Sequence, residues 1–149
     1  MYTNILAATD GSDIAVKAVD QAIGLATTLG AKLTLVTIVA QTPAFAGPEI
    51  GWTIPSSVYE EIGKANDERS QAVLAAAADK ARAAGIEPQT RKLKNVDIHH
   101  GILDAAKEVG ADLVVMGSHG HRGLNRLILG SEASKVLSLA EIPVLIVKP

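Results

Sequence analysis

Short apolar runs alternate with longer amphipathic stretches along this chain. Ile5-Leu6-Ala7-Ala8 is an apolar run of strand length that stops at the turn-and-cap cluster Thr9-Asp10-Gly11-Ser12. From Ser12 the spacing turns helical. Ala15, Ala18, Val19, Ala22, Ile23, Ala26 and Leu29 fall on one stripe, and Gly30 closes it. Leu33–Val39 is continuous and β-branched, as in a strand covered on both faces. Thr42–Ser56 holds three prolines, two glycines and the only Trp, and reads as a long loop. Ser57 and Glu60 have capping-box spacing and open a helix that reaches Ala84 and stops at Gly85.

Gln89–Leu93 predicts a third strand, and Ile98–Val109 a helix ended by Gly110. Asp112–Met116 is the strongest strand signal, broken by Gly117; Ser131–Ala140 is a fourth helix and Val144–Val147 a fifth strand. Strict β-α alternation with right-handed crossovers gives a parallel sheet with helices on both faces. The expectation is one doubly wound α/β domain over residues 1–149.

Ligands of such sheets bind outside the carboxyl ends of the strands, where the strand order reverses. Two strand-end segments qualify, Thr9–Ser12 and Gly117–Ser131. Gly130-Ser131 opens a helix, so exposed N–H groups and the positive end of the dipole make an anion site there. The Ser131 hydroxyl can add a donor, and His119, His121, Arg122 and Arg126 give the segment a positive bias. The segment lacks the Gly-Lys-Ser/Thr of a Walker loop, and the first turn lacks the dinucleotide fingerprint. Asp10 would repel a phosphate without an intervening cation. It either accepts hydrogen bonds from a ribose or base or orders its own turn, and the residues leave both open. Together the segments suggest a nucleotide across the crevice, with phosphates at Gly130-Ser131 and the sugar nearer Asp10.

Gly117-x2-Gly120-x9-Gly130-Ser131 resembles, residue for residue, the motif of the ATP-binding branch of the universal stress protein family. Ile5–Ser12, Ala111–Gly120 and Pro143–Val147 are similar to other segments of that family, so the resemblance spans essentially the whole chain. It implies sheet order 3-2-1-4-5 and a homodimer paired through Pro143–Val147. It also implies ATP, with Mg2+ or Mn2+ bridging its phosphates. By position, Asp10 would face the ribose and the Ile38 backbone the adenine edge. Gly117, His119 and Gly120 would wrap the ribose and first phosphates, and Gly130 and Ser131 would hold the outer ones. Ala8, Thr9 and Met116 would line the pocket. The chain departs from the family pattern at Glu132, where many ATP-binding relatives carry a small or apolar residue. Turned to solvent its carboxylate is harmless; turned inward it weakens triphosphate binding. A second departure is Asn95–Gly101, where Val96-Asp97-Ile98-His99-His100 replaces a Gly-Asp-Pro-like turn.

Composition narrows the field further. A chain of 149 residues, 48% hydrophobic, buries enough core to need no staple. The absence of cysteine removes disulfides and thiol chemistry. A net charge of −2 and four aromatics argue against a nucleic-acid partner. Apolar runs fall far short of the roughly 20 residues of a membrane helix, and a cytoplasmic protein is expected. Adjacent helical histidines such as His99 and His100 point about 100° apart and rarely share an ion. His119 and His121 have no carboxylate nearby in sequence to complete a set. No transition-metal site is expected; surface or capping roles are. Trp52 reads either as a lid over a base or as an ordinary surface or dimer contact. Three functions remain: a nucleotide-binding regulatory module of the stress response; a slow ATPase or autophosphorylating enzyme with Ser131 or a neighbouring loop hydroxyl as acceptor; and, third, a flavin-binding relative.

Overall fold

The structure is a computed structural model and describes residues 1–40, 55–95, 97–121 and 128–149. Trp52, Arg122, Arg126 and most of the expected 42–56 loop lie outside the described residues. Strand β1 (Asn4–Ala8) occupies the middle of the sheet, between β2 (Lys32–Ala40) and β4 (Leu113–Gly117). Successive side chains of a strand point to opposite faces, and β1 shows the consequence directly. Ile5 and Ala7 enter one core with Leu33, Leu35, Leu113 and Val115, while Leu6 and Ala8 enter a second with Val36, Val114 and Met116. Because both faces are buried from Ile5 to Ala8 in β1 and along β4, those stretches carry no polar side chain, which is why they read as unbroken runs.

The first core is covered by α1 (Asp13–Leu29), through Ala18, Val19 and Ala22, and by α2 (Ser56–Ala83). The second is covered by α3 (Ile98–Val109), through Ile102, Ala105 and Ala106, and by α4 (Ser131–Leu139), through Ala133 and Val136. With the edge strands β3 (Gln89–Asn95) and β5 (Val144–Val147), the described residues form one parallel sheet in the order β3-β2-β1-β4-β5. The doubly wound expectation and its strand order both hold. No helix of the described residues is long and apolar enough to cross a membrane.

Several boundaries differ from those expected. Helix α2 starts at Ser56 with Pro55 in the cap position and no side-chain cap, so the Ser57/Glu60 capping box does not form. A proline just before the first helical residue lacks an N–H that would otherwise need a partner, and the helix begins two residues earlier than that box would place it. Only the C-terminal half of α2 packs on the sheet, through Leu74, Ala77, Ala78 and Ala81. Strand β3 runs on to Asn95, past the expected Leu93, because its pairing with β2 continues to Ala40. Asp112 leaves the strand to pin the other end of the sheet, its carboxylate accepting from Thr3 N, Thr3 Oγ1 and Asn4 N at 2.8–2.9 Å.

The cap expected at Ser12 is present: its Oγ accepts from Ala15 N, and Ser12 itself is buried. Ser12→Ala is expected to lower stability by about 1 kcal/mol, the usual cost of losing a serine cap. Chemical denaturation with an unchanged slope would measure it.

Candidate functional site

Strands β1 and β4 are neighbours, but the chain leaves them toward opposite sides of the sheet, so a crevice opens at their C-terminal ends. A cavity of about 480 Å3 occupies it, within the roughly 300–1,000 Å3 of small-molecule sites. Every residue assigned to the pocket from the sequence lines this one cavity. Val36, Ser118, Ile98 and Ile102 line it too and were not anticipated. Ile98 and Ile102 sit one helical turn apart at the start of α3, so the i, i+4 spacing was the signal that could have found them.

The two strand-end loops are tied to each other. Asp10 Oδ1 accepts from Ser12 N (2.9 Å) and Ser12 Oγ (2.6 Å), while Oδ2 accepts from His121 N (3.1 Å). The His121 ring returns the contact, Nε2 lying 2.7 Å from the Asp10 carbonyl. A carbonyl can only accept, so Nε2 carries the proton. Asp10 therefore orders its own turn, one of the two roles left open above, and fastens the second loop as well.

That second loop closes on itself. Ser118 N donates to Val147 O, and Ser118 O accepts from Gly130 N, both at 2.8 Å. A Cβ at Gly130 would lie 2.8 Å from that same Ser118 oxygen, and one at Gly120 would lie 2.8 Å from Asp10 Oδ2. Approach of the protein's own atoms thus requires both glycines before any ligand is considered. The Ser118 hydroxyl, 1% exposed, contacts His119 Nδ1 at 2.7 Å.

Gly130 is the N-cap of α4 and has no side chain with which to cap it. The first helical bond runs from Ser134 N to Gly130 O, so the N–H groups of Ser131, Glu132 and Ala133 precede the helical ladder. Those donors and the dipole give the cavity an anion-binding end, while Ile38, Ile98, Ile102 and Met116 give it an apolar wall.

Glu132 lines the cavity, but its carboxylate is taken up by a protein partner rather than left facing solvent or a ligand. Its Oε2 accepts from the His99 backbone N–H and from His99 Nδ1, each at 2.9 Å, and its Oε1 pairs with Lys135 at 3.2 Å. A residue in the first turn of α4 thus serves as the cap of α3, whose own N-cap Asp97 makes no side-chain cap bond. Partial burial pushes the Glu132 carboxyl up, but the His99 ring, the His99 N–H and Lys135 together hold it below the ordinary value. His99 is accordingly buried and paired, while its neighbour His100 is exposed.

The universal stress protein family model matches residues 1–148. The chain belongs to this family. A universal stress protein of Bacillus subtilis is 34% identical over 99% of this chain and 100% of its own length. A universal stress protein solved in complex with cAMP is 30% identical, with a TM-score of 0.70 over 98% of this chain and 97% of the other. A third relative, from Archaeoglobus fulgidus and solved in complex with dAMP, is 25% identical, with a TM-score of 0.67 over 99% and 98%. Glu132 makes this universal stress protein sensitive to acid in a defined direction. A depressed carboxyl stabilises the fold above its unfolded pKa, and that contribution is lost as pH falls through the folded value. Glu132→Gln is therefore expected to melt below the wild type at neutral pH, with the gap closing as pH falls below about 4. Thermal unfolding across pH would show it.

Proposed function

We propose that the cavity binds an adenine nucleotide and that the protein acts as a regulatory module of the stress response rather than as an efficient enzyme. The observation that carries this is the uncapped first turn of α4 beside an apolar wall, in one cavity at the switch point of the sheet. The relatives solved with cAMP and dAMP support an adenine base as the guest. In this reading the purine rests against Ile38, Ile98, Ile102 and Met116, and the ribose lies nearer Asp10. The phosphates take the N–H groups and hydroxyl of Ser131. ATP is the expected nucleotide. Asp10 and Glu132, the acidic residues lining the cavity, are both engaged elsewhere. A Mg2+ or Mn2+ ion would therefore be held chiefly by phosphate oxygens, which supplies charge neutralisation. A cytoplasmic setting goes with this reading, as expected from the sequence.

Occupancy has a route to the rest of the fold. The Ser118–Gly130 bond ties the phosphate end to the strand that pairs with β5, so a nucleotide that tightens the loop also tightens the edge of the sheet. That edge is apolar: Leu145 of β5 and Leu137 and Leu139 of α4 are exposed. Left open, such an edge invites pairing with another chain, which supports a homodimer through Pro143–Val147. Light scattering at micromolar concentration is expected to give twice the 15.4 kDa chain mass, and the monomer mass would overturn the dimer.

A second reading, slow ATP hydrolysis or autophosphorylation, has the Ser118–His119 contact in its favour, since an imidazole at 2.7 Å could take a hydroxyl proton. Denaturing the purified protein and identifying released small molecules by mass spectrometry separates these readings. Intact, stoichiometric ATP is the expected result. ADP accumulating at a rate abolished by a pocket substitution favours the enzyme, and flavin would overturn both. Gly130→Val is expected to remove saturable ATP binding in calorimetry while the protein still melts cooperatively, because the added side chain presses on Ser118 O. Undiminished affinity would sink the assignment.

A further inference from the structure

Three side chains with metal-ligating atoms meet at the N-terminus of α3, beside the cavity but not part of its phosphate end. Asp97 is the N-cap, and His99 and His100 are the second and third residues of the helix. One donor atom from each lies within 4.8 Å of the others. The 100° splay of adjacent helical residues argues against a shared ion, yet the two rings stand with centroids 4.3 Å apart. Each ring is held by a different carboxylate: Glu132 Oε2 sits 2.9 Å from His99 Nδ1, and Asp97 Oδ2 sits 3.3 Å from His100 Nδ1.

We propose that Asp97, His99 and His100 bind a divalent transition-metal ion of the zinc class, with Glu132 as the positioning carboxylate behind His99. Two imidazoles and one carboxylate are a donor set for borderline ions of this kind, and they leave a fourth position for water. The chain has no cysteine to divert such an ion to sulfur. Glu132 is an acceptor toward His99, so Nδ1 is the protonated nitrogen and Nε2 keeps its lone pair for the ion. This is the carboxylate–histidine arrangement that usually stands behind metal-bound imidazole. Tetrahedral ligands with bonds of roughly 2.0–2.1 Å lie about 3.3–3.4 Å apart, so the 3.3 Å contact between His100 Nδ1 and Asp97 Oδ2 has the right length, and an ion would displace the proton they share. Closing the remaining separation falls to the exposed His100, at 56% exposure, because His99 is buried. The positive end of α3 works against a cation at this place. Asp97 and Glu132 oppose it, although Lys135 offsets part of the Glu132 charge.

The test uses the full chain without an affinity tag, stripped of nucleotide, and titrated with Zn2+ by calorimetry and with Co2+ by visible absorption. One equivalent is expected to bind, with cobalt bands typical of low coordination. His100→Ala and Asp97→Asn, both at exposed positions, are expected to weaken binding at least tenfold with an unchanged circular dichroism spectrum. Glu132→Gln is expected to weaken it about tenfold and to move the cobalt bands, because a carboxylate behind a ligating histidine sets its donor strength. Absence of saturable binding would overturn the proposal. So would weakening that follows His121→Ala and spares His100→Ala, since the ion would then belong to the glycine-rich loop.

Discussion

Asp10 holds together the two loops that the topology drives apart. Because β1 and β4 send the chain to opposite sides of the sheet, nothing in the hydrogen-bond ladder connects Thr9–Ser12 with Ser118–His121. One carboxylate spans them, Oδ1 fixing the start of α1 and Oδ2 the amide of His121. The shape of the crevice follows from that bridge. So does the need for a bare Cα at Gly120, which lies against the same oxygen. A residue that sequence reasoning places beside a sugar is also a strut of the pocket wall. Removing it would disturb the pocket walls along with any ligand contact.

A similar economy governs the helix starts around the cavity. Helix α1 is capped by its own Ser12, α3 is capped from outside by Glu132, and α4 begins at a glycine with no side-chain cap. Had Glu132 folded back on its own helix, it would have met the N–H groups that the cavity uses. Held instead by His99, it keeps a negative charge at the rim while leaving those donors to the cavity. The Glu132 carboxylate thus has a defined partner, one of the two histidines that look unremarkable in the sequence.

The strands and helices were legible because each has a local signature, whereas the sheet order and most of the residues expected in the pocket came with the family resemblance. Runs buried on both faces read as unbroken apolar stretches, Ser12 and Gly110 mark helix ends, and the glycines of 117–130 are spaced like the family motif. Other features depend on pairs far apart in the chain and have no such signature. The Glu132–His99 pair spans 33 residues and the Asp10–His121 contact 111, so no window along the sequence contains either. The start of α2 failed for the opposite reason: a local capping pattern was present, but a proline just upstream supplied a different start.

The two edges of the sheet are built on contrasting principles. Strand β3 carries Arg91, Lys92 and Lys94, and Lys92 reaches Asp67 of α2 at 2.9 Å, so this edge is charged and guarded. Charged residues on an outer strand discourage pairing with a second chain, whereas the Val-Leu-Ile-Val of β5 carries no such guard. The Asp67 contact also marks a division within α2. From Leu74 onward the helix is fastened to the core, while Val58 and Ile62 near its start stand in solvent. Backbone amides in the first turns therefore have few buried contacts to break before they open. The outer half of α2 is thus held to the sheet by a polar contact, Asp67 on Lys92, while the inner half is held by the apolar core, so burial divides one continuous helix into two differently anchored parts.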